Sequence, residues 1–198
     1  WGVIGTNFCK NILLEDCVLS RMDTHMGVSG AYTIRRCTLG HMGLNAIGRG
    51  RLTVEDSTLY GNALVSFRSD YGSTWDGVLR VRNSRWIPAC GDRVRPVLIG
   101  ANNDGVHDFG YPCRLPAEIE IEGLFVDDRN APDDDAGPCL FGDLHRSMEG
   151  RDDLPPPSQR PFPYGLCRRA VVRGFSAARG KPLRLSDTPG IETELVAR

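Results

Sequence analysis

The sequence has little that would mark a membrane or nucleic-acid protein. Only two of its 24 basic residues are lysines, Lys10 and Lys181, and the formal net charge of the 198 residues is −1. Dispersed arginines in a near-neutral chain provide no basic patch for a phosphate backbone, so nucleic-acid binding is not predicted. No apolar run approaches the roughly 20 residues that a membrane-spanning helix needs. The sequence therefore predicts no membrane span.

Signatures of metal and phosphate binding are missing as well. The seven cysteines include no Cys-x-x-Cys pair, which argues against structural zinc. There is no Walker loop, and glycines such as Gly48 and Gly50 fit bends better than a phosphate cradle. With 23 Gly, 13 Pro and no long amphipathic segment, the chain is not expected to be helical.

The chain does contain one short sequence motif that occurs four times. It reads NILLEDCVL at 11–19, AYTIRRCTL at 31–39, RLTVEDSTL at 51–59 and VLRVRNSRW at 78–86. Apolar residues two positions apart are followed by a polar residue, a small residue and another apolar one. This alternation predicts a strand, a bend and a second strand. A period of about 20 residues is typical of a solenoid of strands.

Two further copies, at 117–126 and 169–177, extend the series to six. A second series of short strands is predicted between them, at 26–29, 44–48, 64–68, 96–100, 139–142 and 182–185. Insertions at 70–77, 101–116, 127–138 and 145–165 are predicted to be loops. They cluster in the later repeats, and in solenoids such loops often build the binding face.

The regular apolar positions predict one continuous interior, with Cys17 stacked over Cys37. Its expected lining is Ile12, Leu14, Ile34, Leu52, Val54, Val81, Ile121 and Val172. Disulfides that close an insertion, Cys90 with Cys113 or Cys139 with Cys167, are an option in an oxidising compartment. The chain starts at Trp1 and residues 2–5 resemble the end of a repeat, so we expect it to be the C-terminal part of a longer chain.

The pattern I-x-[IV]-x-[DN]-[CS]-x-L resembles that of the pectin-lyase-like superfamily over roughly residues 2–185. The resemblance implies an all-β fold, a right-handed single-stranded parallel β-helix of about six to seven coils, with residues 1–198 as a single domain. Members include polysaccharide lyases, polygalacturonase-type hydrolases, uronate epimerases, viral tailspikes and adhesins. It therefore implies a polysaccharide or oligosaccharide partner, usually acidic, and a secreted or cell-surface location.

A first group of candidate residues follows the first strand pair of two successive repeats. Asp23, His25 and His41 are candidate catalytic residues, and Arg21, which the 20-residue period aligns with His41, is a candidate substrate ligand. A histidine near a carboxylate can move protons in elimination, epimerisation or hydrolysis. Residues 23–25 are similar to the D-x-H element of uronate epimerases, and residues 40–43 to the G-H-G element of polygalacturonases. The alternative is that these are bend residues that hydrogen-bond along the stack.

A second group of charged and aromatic residues surrounds the first insertion: Arg49, Arg68, Asp70, Tyr71, Trp75 and Asp76. Arg68 and Asp70 are candidate catalytic residues, and the other four are candidate substrate ligands. Arginines pair well with a uronate carboxylate, and flat aromatic faces suit sugar rings. The alternative is an ordinary loop whose aspartates cap its ends and whose Trp75 covers the side of the solenoid.

The acidic loops at 102–108 and 127–135 suggest Ca²⁺ as the one optional cofactor, with solvated loop charge as the alternative; no metal ligand is assigned. The leading hypothesis is a carbohydrate-active enzyme, a lyase or a glycoside hydrolase, with epimerisation as a third reaction. In a lyase, an arginine or histidine takes the proton alpha to a uronate carboxylate that another arginine or Ca²⁺ neutralises. In a hydrolase, two aspartates act. The alternatives are a non-catalytic glycan-binding or structural β-helix, such as a tailspike or adhesin segment, and a fragment whose active site lies on preceding coils.

Overall fold

The computed structural model of the chain describes residues 9–24, 27–41, 43–68, 75–88, 95–100, 113–142 and 164–198. Within these ranges the regular structure consists of β-strands, and no helix is present. In chain order the strands are β1 Cys9–Glu15, β2 Val18–Leu19, β3 Met22–Asp23, β4 Val28–Arg35, β5 Thr38–Leu39, β6 Leu44–Ala46, β7 Gly48–Glu55, β8 Thr58–Gly61, β9 Ala63–Phe67, β10 Trp75–Arg82, β11 Arg85–Pro88, β12 Val97–Gly100, β13 Cys113–Arg114, β14 Glu118–Glu122, β15 Phe125–Val126, β16 Cys139–Phe141, β17 Tyr164–Gly165, β18 Arg169–Arg173, β19 Ser176–Ala177 and β20 Glu194–Ala197.

The strands form three larger parallel sheets, which the chain visits in turn. Sheet I has the order β1-β4-β7-β10-β14-β18-β20, sheet II the order β2-β5-β8-β11-β15-β19, and sheet III the order β3-β6-β9-β12-β16. A two-stranded parallel sheet joins β13 to β17. Each passage from sheet I through sheet II to sheet III is one repeat. An all-β chain that repeats this path is compatible with a parallel β-helix.

The register of sheet I confirms the repeats that the sequence predicted. Leu14 pairs with Ile34, which pairs with Val54, which in turn pairs with Val81. The same row continues through Ile121 to Val172. The eight residues expected to line the interior are all buried members of one hydrophobic cluster, to which sheets II and III also contribute. The alternation of apolar side chains therefore does build the core of the molecule.

A two-residue bend connects sheet I to sheet II in every described repeat. Its first residue lies in the left-handed region, with φ of 55° at Asp16, 51° at Arg36, 49° at Asp56 and 44° at Asn83. Glycine takes this position in the last two repeats, with φ of 67° at Gly123 and 60° at Gly174. Asn, Asp and Gly tolerate this region best, which accounts for the polar residue at this position of the repeated pattern.

In the first four described repeats, the second residue of the bend forms the predicted column of small side chains: Cys17, Cys37, Ser57 and Ser84. Cys17 is opposite Cys37, because the pairs on either side of them, Glu15 with Arg35 and Val18 with Thr38, are in register. The Cys37 N–H donates to Ser57 Oγ at 3.0 Å, and the Ser57 N–H donates to Ser84 Oγ at 3.3 Å. The column thus supplies partners for buried backbone groups from one repeat to the next.

The second strand series is corrected at its first member. Residues 26–29 were expected in the series, but sheet III begins with Met22–Asp23, and Val28 already belongs to sheet I. Met22 pairs with Leu44, a separation of 22 rather than 20 residues, because the turn after β5 is longer than the turn after β2. The C-terminal bound of the first insertion, predicted at residue 77, is corrected too, because the following strand begins at Trp75.

The bounds of two further insertions, at 101–116 and 145–165, shift as well. Cys113–Arg114 and Tyr164–Gly165 are short strands that pair with each other, although both ranges were predicted to be loops. Residues 127–138 do form a loop. Cys139 and Cys167 are free thiols, so the disulfide considered between them is not present. Cys90 lies outside the described residues, and with it the pairing of Cys90 and Cys113.

Candidate functional site

Between the strands that the structure describes, the connections of variable length flank sheet III. The connection from sheet I to sheet II keeps two residues in all six repeats. In contrast, β9 and β10 are separated by residues 68–74, β12 and β14 by 101–117, and β16 and β18 by 142–168. The connections that lead into sheet III also grow, at 89–96 and 127–138. Solenoid insertions collect on the face that binds ligands, so sheet III and its borders are the candidate functional surface.

Three of the predicted site residues meet at the first strand of sheet III. Asp23 lies in β3 and accepts a hydrogen bond from Arg21 Nη2. Arg68 follows β9, two strands away, and its Nη1 lies 3.3 Å from Asp23 Oδ1 and 3.5 Å from Oδ2. The Asp23 side chain is only 8% exposed, compared with 27% for Arg21 and 18% for Arg68. One buried carboxylate thus holds two partly exposed guanidinium groups.

A row of small polar residues continues from Asp23 along sheet III. Asp23 pairs with Asn45, Asn45 with Ser66, and Ser66 with Gly100. Asn45 and Ser66 are half-buried. The row offers an amide and a hydroxyl next to the two arginines, which is the kind of polar lining that orients a sugar by hydrogen bonds.

Aromatic side chains support this corner from the core. The Trp75 ring stacks on Phe67, with centroids 6.1 Å apart, and lies 6.5 Å from the ring of Tyr32. The Trp75 indole N–H donates to the Gly50 carbonyl at 3.3 Å. The Tyr32 hydroxyl is buried and has no hydrogen-bond partner among the described residues. Burial raises the pKa of Tyr32, and the negative charge of Asp23 raises it further, so the phenol stays neutral.

Trp75 requires a correction, because the sequence predicted that its ring stacks on a sugar. The side chain has an exposed fraction of 0% and belongs to the core. A ring without an exposed face cannot bind a sugar. We therefore remove Trp75 from the substrate-binding residues. The alternative, that Trp75 packs on the solenoid, agrees with its burial.

The remaining predicted residues are placed as follows. His41 is exposed on the turn between β5 and β6, and the longer turn there breaks its simple alignment with Arg21. Arg49 and Asp76 are exposed register partners in sheet I, and Asp76 Oδ1 lies 3.9 Å from Arg114 Nη1. They are not part of the contacts around Asp23 described above. His25, Asp70 and Tyr71 lie outside the described residues.

The acidic loop at 127–138 is held by arginines. Arg179 Nη1 donates to the carbonyls of Ala131 and Pro132, at 3.3 and 2.6 Å, and Nη2 donates to that of Asp133 at 3.2 Å. The guanidinium therefore occupies carbonyl oxygens that a Ca²⁺ ion would use. Within the described ranges, no group of three His, Cys, Asp or Glu side chains is arranged to hold a metal ion. The other acidic loop, at 102–108, lies outside those ranges.

A second arginine–carboxylate cluster was not anticipated from the sequence. Asp127, at the start of the same loop, contacts both Arg85 and Arg129. Asp127 had been considered only as a calcium ligand, and neither arginine had been singled out. The signal was available in the repeat, since aligning Trp86 with Val126 brings Arg85 next to Phe125 and close to Asp127.

Comparisons with known proteins give one partial similarity. No protein-family model matches the chain, and no solved structure matches it significantly. The chain is similar to a capsule KL64-specific depolymerase of Klebsiella phage P510, with 33% identity over 94 residues. The match covers 42% of this chain and 9% of the phage protein, so the chain spans a small part of that protein's length. No membrane-spanning helix is found in the described part of the chain.

Proposed function

We propose that this chain is a polysaccharide-acting, right-handed parallel β-helix of about six to seven coils, with residues 1–198 as one domain. Its substrate is an acidic polysaccharide outside the cell, such as a bacterial capsule. The partial similarity to a capsule depolymerase supports the substrate class. The sequential path through three parallel sheets supports the architecture.

The observation that carries this proposal is the arrangement of Arg21, Asp23 and Arg68. Two guanidinium groups are held by one carboxylate at a surface bordered by the long insertions, and these three side chains together carry a charge of +1. Arginine recognises carboxylates in a planar, bidentate geometry, so a uronate group is the matching ligand. In this proposal Arg21 and Arg68 bind the uronate, Asp23 positions them, and Asn45 and Ser66 hydrogen-bond the sugar.

The reaction favoured by these residues is β-elimination. A lyase needs cationic groups that stabilise the negative charge developing on the uronate, and two arginines provide them. Glycoside hydrolysis needs two carboxyl groups at a defined separation. Within the described cluster Asp23 is the single carboxylate, and it is already bound to both arginines. In this proposal the candidates for the base are His25, His41 and Asp70, and Tyr71 is a candidate sugar contact. Arg49 and Asp76 are candidate contacts with the polysaccharide outside this cluster.

A non-catalytic glycan-binding β-helix is the second candidate, since the same two arginines would serve binding alone. The experiment is an assay on a panel of acidic polysaccharides that includes KL64 capsule. We expect an ultraviolet absorbance from unsaturated uronates, lost in Arg68→Gln and kept in Arg51→Gln, an exposed arginine on sheet I. Reducing ends without absorbance would identify a hydrolase. Binding without products would identify a binding protein, and equal activity in both variants would refute the site.

A further inference from the structure

Beyond the cluster on sheet III, a second pair of arginines is held side by side next to strands β11 and β15 of sheet II. Asp127 follows β15 and is 6% exposed. Arg85 Nη2 lies 2.5 Å from Asp127 Oδ2, and Arg129 Nη2 lies 2.7 Å from the same oxygen. Arg129 Nε makes a second hydrogen bond, to Asp127 Oδ1 at 2.6 Å. Because both guanidinium groups bind one oxygen, they must be immediate neighbours.

The two arginine side chains face solvent in spite of these contacts. The Arg85 side chain is 45% exposed and that of Arg129 is 71% exposed. Each guanidinium has five N–H donors, and the contacts with Asp127 use one from Arg85 and two from Arg129. The donors that remain are available to an anion in solution.

Stability alone is a weak reason for this arrangement. Arg129 is two residues from Asp127, so their contact ties no distant part of the chain, and ion pairs made by exposed arginines contribute little to stability. The loop has its own anchors, since Arg179 binds three of its carbonyls and donates its backbone N–H to Asp128 Oδ1 at 2.9 Å. The geometry instead orients two guanidinium groups in advance of binding, which lowers the entropic cost of engaging a ligand.

An apolar surface lies next to the pair. The Arg85 guanidinium carbon lies 5.4 Å from the centre of the Phe125 ring, a cation–π contact that fixes the plane of the guanidinium. Ile87 lies two residues after Arg85 on β11 and pairs with Tyr60 of β8, and both are half-buried. A partly apolar strip beside oriented cations fits a sugar ring that carries an acidic group.

The loop carries further acidic side chains, of which Asp133 is exposed. Asp128 and Asp135 are buried, and Asp134 Oδ2 lies 3.6 Å from Arg95 Nη2. Asp127 itself is counted in the cluster, which keeps a net charge of +1. The pKa of Asp127 is lowered to about 2, chiefly by its hydrogen bonds with Arg129 and then Arg85, so the carboxylate remains the anchor over the working pH range.

We propose that Arg85 and Arg129, oriented by Asp127 and flanked by Phe125, form a second glycan-binding subsite for a carboxylate-bearing sugar, separate from the cluster on sheet III. It rests on the proposed function, since its ligand is another part of the same acidic polysaccharide. A subsite on sheet II would hold a long chain while the residues at sheet III act on it. It should therefore affect the affinity for polymers more than the chemical step.

The test compares three proteins in a binding assay with immobilised polygalacturonate, hyaluronate and KL64 capsule, with dextran as the neutral control. They are the unmodified protein, Arg85→Gln/Arg129→Gln, and the matched double variant Arg51→Gln/Arg173→Gln, whose arginines are exposed on sheet I. Losing two charge-assisted contacts should weaken binding to at least one acidic polymer about tenfold or more. Dextran binding and the matched variant should not change.

The outcomes separate this subsite from the proposed function. If Arg85→Gln/Arg129→Gln weakens binding while Arg68→Gln leaves product formation intact, the subsite stands and the site on sheet III fails. If no acidic polymer binds, or if the matched variant loses as much affinity, the subsite is refuted. Should the double variant fail to fold, Arg129→Gln alone decides, because this exposed side chain can be shortened without disturbing the core; unchanged affinity in that variant would also refute the subsite.

Discussion

Arg68 Nη1 lies 3.3 Å from Asp23 Oδ1, although 45 residues separate them in the sequence. Asp23 lies in the first strand of sheet III, and Arg68 follows the third. The arginine therefore reaches across the intervening strand, β6, to share the carboxylate with Arg21. An ion pair that spans two repeats fixes both arginines at one place on the surface, which is the condition for recognising a carboxylate of defined position.

Replacing Asp23 by Asn tests whether this carboxylate organises the cluster. Asp23→Asn leaves two partly buried guanidinium groups without their shared counter-charge, and breaking such a buried contact costs about 3 kcal/mol. Urea unfolding monitored by circular dichroism measures the loss. Asn45→Ala, a half-buried neighbour in the same row, should change the free energy of unfolding by less than about 1 kcal/mol. Equal effects of the two substitutions would contradict an organising role for Asp23.

Gly50 is expected to be intolerant of any side chain. Its φ is 101°, and an added Cβ would lie 2.1 Å from the Gly30 carbonyl oxygen in the neighbouring strand. That oxygen belongs to the backbone of sheet I and cannot move alone, so Gly50→Ala should destabilise the fold by about 3 kcal/mol or more.

Gly180 provides the control for Gly50. It also has a positive φ, of 67°, but no atom lies within 4 Å of an added Cβ. Gly180→Ala should therefore cost only about 1 kcal/mol, the penalty of the left-handed conformation. The difference in thermal midpoint between the two variants isolates the steric clash. Equal midpoints would mean that the glycines of sheet I are not required for close stacking.

The sequence was sufficient to predict sheet I and its core. The repeated pattern fixes which residues share a row, and because side chains alternate along a strand, a correct period also predicts which of them are buried. Leu14, Ile34, Val54 and Val81 illustrate this. The prediction was less successful at sheet III, where two more residues in one turn displace the row from Asp23 to Asn45.

The site was predictable only in part, for a related reason. Arg21, Asp23 and Arg68 were selected because they interrupt the repeat, but the contact of Arg68 with Asp23 depends on a side chain that reaches across the intervening strand β6. Trp75 shows the opposite problem. It follows a polar insertion and was expected to be exposed, whereas stacking on Phe67 buries it completely. In both cases the packing of neighbouring repeats, and not the local sequence, decides where the side chain lies.

The interior of the repeats should not tolerate a charge. Val54 is fully buried in the central row of sheet I, and no cationic side chain belongs to the surrounding cluster. Val54→Asp should lower the free energy of unfolding by more than about 4 kcal/mol or prevent folding, because an unpaired carboxylate must be desolvated. Val54→Ala, which only leaves a small cavity, should cost about 2 kcal/mol. Soluble yield and calorimetry compare the two variants, and comparable stability would argue against a shared core.

Charges of alternating sign form a row on sheet I, and we expect this row to stabilise the stacking of repeats. Its members, each paired with the next, are Glu15, Arg35, Glu55, Arg82, Glu122 and Arg173. Arg35 Nε lies 2.7 Å from Glu15 Oε1, and Arg35 Nη1 lies 3.6 Å from Glu55 Oε1. Arg35→Glu would place three acidic residues in succession and should cost about 1–2 kcal/mol.

The control for the charge row is Arg51→Glu. Arg51 lies in the same strand as Glu55, but its register partners are Ala31 and Val78, so the new carboxylate meets no like charge in its row. Its effect should stay within about 0.5 kcal/mol. Chemical unfolding at low and high salt is the measurement, since screening should reduce the cost of Arg35→Glu. A cost that does not depend on salt would point to lost packing instead of charge repulsion.

Asp127 should contribute to the acid limit of stability. Its pKa in the folded protein is lowered to about 2 by Arg129 and Arg85, against an ordinary value near 3.8. A depressed pKa means that the folded state holds the proton less tightly than the unfolded state. The contribution is therefore complete above about pH 4 and is lost as the pH falls towards 2. It should amount to only about 1 kcal/mol, since the exposed arginines are partly screened. Unfolding free energies measured from pH 6 to pH 2 should fall less steeply in Asp127→Asn than in the unmodified protein, whereas parallel curves would show that the two arginines do not bind this carboxylate in solution.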